Sequence, residues 1–381
     1  YGTIYLTFLI PIIASLRFYT TIEKAIYRAS ENFIILAKLN LIFALARYIF
    51  IIPIIYYFNN LNFYFIYQLI LALIECLVYK NLHSELLKKY IINRLDDLRL
   101  LKENANFITL SALAGLFWLA TVSVDKLFLF GNISNEIYTS YSITSQLAGI
   151  CLVIMAPLSG VLQPRVVDVY LNKDKNELSK FFLNVNKFLL STLIGLLFFL
   201  LLFFPVIFPL WSGQDFNFIY FQVFSFLLIG FVFAAHGLIG YMVQFAIGDV
   251  KIHSISNIVC SLIYIPIIYL LAKNQDIQNI AILWFFALSF LSLCGFWAYV
   301  SLLNLKDALL LYIPSWLLIL LVYFLTSKLV HYLFASTKTF VDALTAISIN
   351  IIPISIIVFA FITVLLLGTY FNYKKYKTKR S

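Results

Sequence analysis

The sequence predicts an all-α protein, a polytopic bundle of transmembrane helices. Of its 381 residues, 63% are hydrophobic and only 12% are charged, whereas a soluble domain carries about 25% charged residues. Apolar runs recur along the whole chain, close to the ~20 residues that a helix needs to cross a membrane. The net charge of +10 lies mainly in short segments between these runs, which is typical of membrane topology rather than of nucleic-acid binding.

Eleven apolar segments are predicted to span the membrane. A helix of about 24 residues rises ~36 Å, which is enough to cross a core of ~30 Å with some tilt. In chain order the segments are 1–16, 34–57, 62–79, 105–130, 137–162, 185–208, 217–245, 255–272, 278–303, 309–326 and 346–368.

The orientation of the spans follows from the Lys and Arg residues. Of the 27 basic residues, 21 lie in one alternating set of loops or in the C-terminal tail, and only Lys273, Lys328 and Lys338 lie in the opposite set. Because positively charged loops face the cytoplasm, we expect a cytoplasmic C-terminus and a first segment that enters from outside.

In residues 80–104, apolar side chains recur at helical spacing among charged ones. This pattern predicts an amphipathic helix that lies on the inner leaflet. This helix separates the first three segments from the rest.

The pentapeptide IPIIY occurs at 52–56 and again at 265–269, each time at the end of an outward-going span. Chance or a pair of parallel repeats would each explain this echo.

Arg47 is the deepest charge predicted within a span. A charge at mid-bilayer costs ~2.5–3.5 kcal/mol on insertion scales, so it usually faces protein or water. Arg47 shares a helical stripe with Asn40, Ala37 and Ala44. It is interpreted either as a cation in a water-filled cavity or as the structural partner of a carboxylate or helix-end carbonyl. Glu75, near the cytoplasmic edge of its span, is interpreted as an interfacial residue.

The adjacent charges Asp125 and Lys126 lie within the segment 105–130. Asp125 continues a polar helical stripe formed by Ser111, Gly115, Trp118 and Thr121. Lys126 projects about 100° away from Asp125, so the two need not pair. Three roles are open for Asp125: a proton or Na⁺ site, a partner of Arg47 across a cavity, or an interfacial charge.

Two more residues within spans are candidates for ion coupling or gating. His236 lies near Gly237 and Gly240, and it is interpreted as a hydrogen-bonded structural group or as a proton relay. Pro157 is predicted to end a polar-faced helix near the cytoplasm, where a bend could serve gating.

The sequence contains no G-x-x-x-x-G-K-[ST], HExxH or GxSxG motif, which favours a transporter over an enzyme.

The stretch 124–175 resembles a signature of the polysaccharide flippases, the Wzx-type O-antigen translocases of the multidrug/oligosaccharidyl-lipid/polysaccharide exporter superfamily. The matching residues there are Asp125, Lys126, Gly131, Tyr141, Ser142, Pro157, Pro164 and Arg165. A second match within 240–259 comprises Gln244, Ala246, Gly248 and Asp249, and the motif LWSG at 210–213 also fits.

The resemblance implies two pseudo-symmetric lobes that work by alternating access, with about 11 of 14 spans present. Residues 1–82 would be the second half of the N-terminal lobe, its first three helices missing, and 83–104 the cytoplasmic linker helix. Residues 105–303 would be the C-terminal lobe, and 304–381 two extra helices and a basic cytoplasmic tail.

The function implied by the resemblance is a flippase of lipopolysaccharide or capsular polysaccharide biosynthesis. It would move an undecaprenyl-pyrophosphate-linked oligosaccharide across the bacterial inner membrane, without a metal or organic cofactor and with H⁺ or Na⁺ as coupling ion. The cargo would be contacted by Arg47, Asn40, Lys126 and Trp118. The candidates for coupling transport to the ion or for gating the pathway are Asp125, Pro157 and His236.

The expected partners are the lipid-linked oligosaccharide, membrane lipids and other polysaccharide-assembly membrane proteins, with no nucleic acid. Two alternatives stay open. One is a membrane enzyme of the same pathway, an O-antigen polymerase or ligase. The other is an exporter of a different cargo, such as lipid II, a teichuronic-type unit or a drug.

Overall fold

The computed structural model describes residues 2–29, 33–58, 60–87, 99, 102–172, 175–302 and 305–334. Across these ranges the regular structure is entirely helical. Eight stretches are long and apolar enough to cross a membrane, and Ile277–Leu293 is a shorter one. The prediction of an all-α polytopic membrane protein is therefore confirmed. The count of eleven spans stays a prediction, and 346–368 and most of the predicted linker helix lie outside the described residues.

The described chain forms eleven helices. In order they are α1 (Gly2–Ala29), α2 (Phe33–Tyr48), α3 (Ile51–Phe58), α4 (Leu61–Leu87), α5 (Ala105–Leu129), α6 (Asn135–Asn172), α7 (Lys175–Ser212), α8 (Phe218–Ile247), α9 (Lys251–Lys273), α10 (Ile277–Leu302) and α11 (Leu305–Phe334). Contacts between them divide the chain into a first unit, Tyr1–Glu103, and a second unit, Asn104–Ser381.

The core of the first unit forms where α1 and α2 pack against α4. Tyr79 on α4 is fully buried. Its ring meets that of Tyr27 edge-on at a centroid distance of 5.8 Å, and that of Phe43 at 6.4 Å. Leu36 and Leu71 complete this small core. One aromatic side chain therefore ties all three helices together.

The span predicted at 34–57 is interrupted at Ile49 and Phe50, between α2 and α3. Pro53 has no N–H to donate to the carbonyl of Ile49, and its ring clashes with that carbonyl in a regular helix. The Phe50 N–H is displaced to the Leu45 carbonyl, five residues earlier, at 3.4 Å. The hydroxyl of Tyr67 donates instead to the freed carbonyl of Ala46 at 2.5 Å.

The second unit is built around α8, which is buried along most of its length. Helices α6 and α10 pack against α8, while α5 pairs with α9 and α7 pairs with α11. Most of the buried apolar side chains of this unit belong to one continuous core. A central helix that is apolar on all sides is what burial from several directions requires.

Helices α8 and α10 approach so closely that their backbones touch. A Cβ added to Gly240 would lie 2.3 Å from the carbonyl oxygen of Gly295. A Cβ on Gly237 would lie 2.9 Å from the Cα of Ser292. Small residues at such a crossing replace side-chain packing by backbone contact, as in other membrane helix pairs.

Helix α6 corrects the prediction that a helix ends at Pro157. The helix continues 15 residues further, to Asn172. Spanning helices tolerate proline because the freed carbonyl finds other partners. The side chain of Pro157 lies outside the described part of the structure, and a gating role for this residue stays a prediction.

We expect Gly240→Ala to destabilise the second unit by about 1–3 kcal/mol or more, because the new methyl group overlaps the α10 backbone. Gly160→Ala in α6 is the matched control, since a Cβ there meets nothing within 4 Å. Thermal unfolding of both variants in detergent measures the difference. Equal unfolding midpoints would contradict the close contact of α8 with α10.

Candidate functional site

The first unit contains a group of charged side chains contributed by α1, α2 and α4. We call it the basic cluster, and it comprises Arg17, Lys24, Arg47, Glu75 and the amide of Gln68. Glu75 is its centre and is only 2% exposed. The Lys24 Nζ donates to its Oε1 at 2.7 Å, and the Arg47 Nη2 donates to its Oε2 at 2.7 Å. Each carboxylate oxygen thus has its own cation.

Glu75, which the sequence suggests is an interfacial residue, is buried within the protein and forms two ion pairs. Burial of its carboxylate is tolerated because two cations compensate it. Of the alternatives for Arg47, the pair with a carboxylate is present, and the carboxylate is Glu75 rather than Asp125. The Arg47 side chain nevertheless keeps 23% of its surface exposed and that of Lys24 keeps 19%.

The basic cluster is positioned by the register of two parallel helices. The Arg17 guanidinium donates to the side-chain oxygen of Gln68, and Lys24 pairs with Glu75 one heptad further along both helices. Both pairs join residues 51 positions apart, so α1 and α4 run in the same direction. Arg47 lies in the last turn of α2, where the helix dipole favours a cation.

Asn40, the other predicted cargo contact of the first unit, lies on an exposed part of α2. Its side-chain oxygen is 3.4 Å from the hydroxyl of Tyr79, which donates to it. The same tyrosine ring lies 5.2 Å from the Lys24 ammonium. Tyr79 therefore connects Asn40 indirectly to the basic cluster.

Asp125 is fully buried at the C-terminal end of α5. The hydroxyl of Tyr141 donates to its Oδ2 at 2.7 Å. The Lys126 ammonium lies 3.8 Å from the same oxygen, so the two adjacent charges do approach each other although their helical positions diverge. The Oδ1 atom has no hydrogen-bond partner among the described residues. This is a buried carboxylate with one free coordination position.

The rest of the polar stripe on α5 divides into two parts. Thr121 packs against α9, where its hydroxyl oxygen lies 2.6 Å from that of Ser261. Ser111, Gly115 and Trp118 instead line a cavity of about 250 Å³ within the second unit. The stripe thus borders a cavity over one half of α5 and a closed helix contact over the other half.

His236 is fully buried in α8. Its Nε2 lies 2.9 Å from the side-chain oxygen of Asn186, whose amide donates to the hydroxyl of Ser315 at 3.2 Å. The imidazole ring meets that of Tyr312 at a centroid distance of 4.9 Å. These neutral contacts join α8 to α7 and α11, as a structural histidine would.

Sequence reasoning missed the central residues of both units. Lys24 and Glu75 form the basic cluster with Arg47, yet neither was predicted as a site residue. The shared spacing of seven between Arg17 and Lys24 and between Gln68 and Glu75 was the available signal, because it places each pair on one helical face. Asn257, which lines the cavity of the second unit, has no comparable signal.

Neither a family model, nor a curated protein, nor a solved structure matches this chain. The geometry of the two units is therefore the basis for a functional assignment.

We expect Glu75→Gln to destabilise the first unit by about 3 kcal/mol, because loss of one partner of a buried ion pair leaves unpaired charge. Glu103→Gln is the matched control, since Glu103 pairs with Arg99 at an exposed site, where such pairs contribute about 0–1 kcal/mol. Chemical denaturation in detergent compares the two. A cost no larger than that of the control would mean that Glu75 does not hold the basic cluster together.

Proposed function

We propose that this protein is a flippase that moves a polyprenyl-pyrophosphate-linked oligosaccharide across the bacterial inner membrane by alternating access. The observation that carries the proposal is the position of Arg47. It lies in the last turn of α2, beside the break in the span α2–α3, and binds a buried carboxylate, yet it keeps an accessible surface. Interrupted helices beside buried charges are typical of substrate sites in membrane transporters.

The charge balance of the first unit favours an anionic cargo. The basic cluster contains three cations, Arg17, Lys24 and Arg47, and one carboxylate, that of Glu75. Glu23 is a second buried carboxylate of the same unit. Glu75 is covered, whereas Arg47 and Lys24 are accessible, so an approaching group meets the cations first. Arginine and lysine are the residues that bind phosphate oxygens by charge-assisted hydrogen bonds.

A pyrophosphate would take over part of the role that Glu75 plays for these cations. Phosphates need such compensation because neither they nor a sugar chain can enter hydrocarbon without losing hydration. A cationic drug would be repelled by the same surface. The geometry of the first unit therefore favours the pyrophosphate-linked oligosaccharide over a cationic drug as cargo.

Asp125 is our candidate for ion coupling. Its carboxylate is buried beside the hydroxyl of Tyr141, and one of its oxygens has no bonded partner in the described chain. Binding of H⁺ or Na⁺ at that oxygen would neutralise a charge that is costly within the membrane. The distribution of basic residues supports a cytoplasmic C-terminus.

We expect Arg47→Ala in the full-length protein to abolish display of surface glycan while membrane insertion stays intact, because the pyrophosphate loses its main contact. Lys38→Ala is the matched control, since Lys38 lies on the exposed face of the same helix. Glycan immunoblots of cells whose own flippase is deleted measure the outcome. Normal display in Arg47→Ala cells would refute the role of Arg47.

We expect Asp125→Asn to lower the rate of transport at least tenfold with little loss of expression, because the amide keeps the contact with Tyr141 but has no negative charge that H⁺ or Na⁺ could neutralise. Asp168→Asn, at an exposed position of α6, should transport normally. Flipping of a fluorescent lipid-linked oligosaccharide in proteoliposomes, with imposed H⁺ or Na⁺ gradients, measures both. Collapse of Asp125→Asn expression would instead mark a structural residue.

A further inference from the structure

We propose that Tyr67 of α4 is a positioning residue for Arg47, because its hydroxyl selects the broken form of the span α2–α3. This hydroxyl donates to the carbonyl of Ala46 at 2.5 Å. The carbonyl of Ala46 and the N–H of Arg47 belong to one peptide unit, which is planar and rigid. Tyr67 therefore fixes the peptide plane from which the Arg47 side chain starts. The contact itself does not depend on the proposed function, but its role in the binding of cargo does.

Two donors compete for the carbonyl of Ala46. In a regular α-helix this carbonyl would accept from the N–H of Phe50, four residues later. That N–H points instead to the carbonyl of Leu45, at 3.4 Å, and the Tyr67 hydroxyl takes its place. Without this hydroxyl, the Ala46 carbonyl would lie unpaired in the membrane until the chain rewound into a continuous helix. The hydroxyl thus stabilises the break relative to the regular helix.

The two copies of the IPIIY motif have different effects on the helices that carry them. The copy at 52–56 follows directly after the break between α2 and α3. The copy at 265–269 lies within α9, which continues through Pro266 without a break. The same motif is therefore compatible with both a broken and a continuous helix, so a feature outside the motif decides between them.

The deciding feature lies on the helix that follows each copy. Helix α4 follows α3 and packs against it, and α10 follows α9 and packs against it. Tyr67 stands eleven residues after the first copy of the motif. The residue at the same distance after the second copy is Ile280, which is fully buried in the apolar core and has no hydroxyl to donate. Tyrosine at this position accompanies the break, and isoleucine accompanies the continuous helix.

The break places the end of a helix beside Arg47. The last carbonyls of a helix carry a partial negative charge, which stabilises a cation in the last turn. Arg47 occupies that turn of α2, and its Nη2 donates to the Oε2 of Glu75 at 2.7 Å. In a continuous helix, Arg47 would lie in the helix interior and lose this stabilisation. Helix α4 therefore holds the end of α2 at two points, through the side chain of Arg47 and through the adjoining backbone.

The test is the rate at which phenylglyoxal modifies Arg47, measured by mass spectrometry on the full chain in lipid nanodiscs. We expect at least threefold faster modification in Tyr67→Phe than in the wild type, because Glu75 then holds the guanidinium less firmly. Pro53→Ala should have the same effect, since the restored N–H allows a continuous helix. Circular dichroism and gel filtration check folding, and Pro53→Ala decides if Tyr67→Phe does not fold.

Two matched controls remove the same groups at sites outside the break. Tyr56→Phe deletes the hydroxyl of a tyrosine on α3 that is 82% exposed. Pro266→Ala changes the proline of the other copy of the motif, in a helix that is already continuous. Both variants should leave the modification rate of Arg47 unchanged.

Two other arginines separate positioning from general loosening of the protein. Arg17 belongs to the same unit and donates to Gln68, and Arg165 lies exposed on α6. We expect Tyr67→Phe to accelerate the modification of Arg47 alone. Equal acceleration at Arg17 and Arg47 would overturn the inference, because Tyr67 would then only stabilise the unit. A rate at Arg47 no higher than that of the wild type would overturn it as well.

Binding of inorganic pyrophosphate to the full chain, measured by isothermal titration calorimetry, tests the role in cargo binding. We expect at least fivefold weaker binding in Tyr67→Phe and wild-type binding in Tyr56→Phe. No binding by the wild type would refute the cargo contact of the proposed function and leave the positioning of Arg47 to the modification rates. Binding by the wild type with unchanged affinity in Tyr67→Phe would overturn the inference and leave the proposed function intact.

Discussion

Compensation of one buried carboxylate determines the arrangement of the first unit. Glu75 lies where its charge is costly, and Lys24 and Arg47 each occupy one of its oxygen atoms. This requirement fixes the register of α1 against α4 and holds the end of α2 beside both. The break before α3 depends on the same helix, because the hydroxyl of Tyr67 on α4 donates to the Ala46 carbonyl, which the displaced Phe50 N–H leaves free. Helix α4 thus stabilises both the cations of the basic cluster, through Glu75, and the break between α2 and α3, through Tyr67.

The second unit lines its cavity with uncharged side chains, whereas the first unit brings ions together. Its polar stripe on α5 borders a cavity over one half and closes against α9 over the other, through Thr121 and Ser261. Beyond that contact, Tyr141 satisfies one oxygen of Asp125 and leaves the other free. An anion would be drawn to the accessible cations of the first unit, whereas the cavity of the second unit has no charged side chain among its described lining residues.

The helical membrane fold could be predicted because each spanning helix is recognised from the apolar composition of its own segment, without knowledge of its neighbours. The polar stripe on α5 was also visible in the sequence, and Ser111, Gly115 and Trp118 do line a cavity. The partner of Arg47 could not be predicted, since pairing across 28 residues depends on how helices pack. Pro53 was a readable signal for the helix break, but proline is tolerated in enough spanning helices that the signal was not decisive.

The crossing of α8 and α10 has a mechanical consequence for the second unit. Backbone atoms at Gly240 and Gly295 already touch, so neither helix can slide or roll against the other without a collision. Sliding of one helix past the other is therefore blocked at this crossing, and along that direction the two helices would move together. Helices α5 and α9, which also line the cavity, are joined to each other by the hydroxyl contact of Thr121 with Ser261, so a displacement of α5 relative to α9 would have to break this single hydrogen bond.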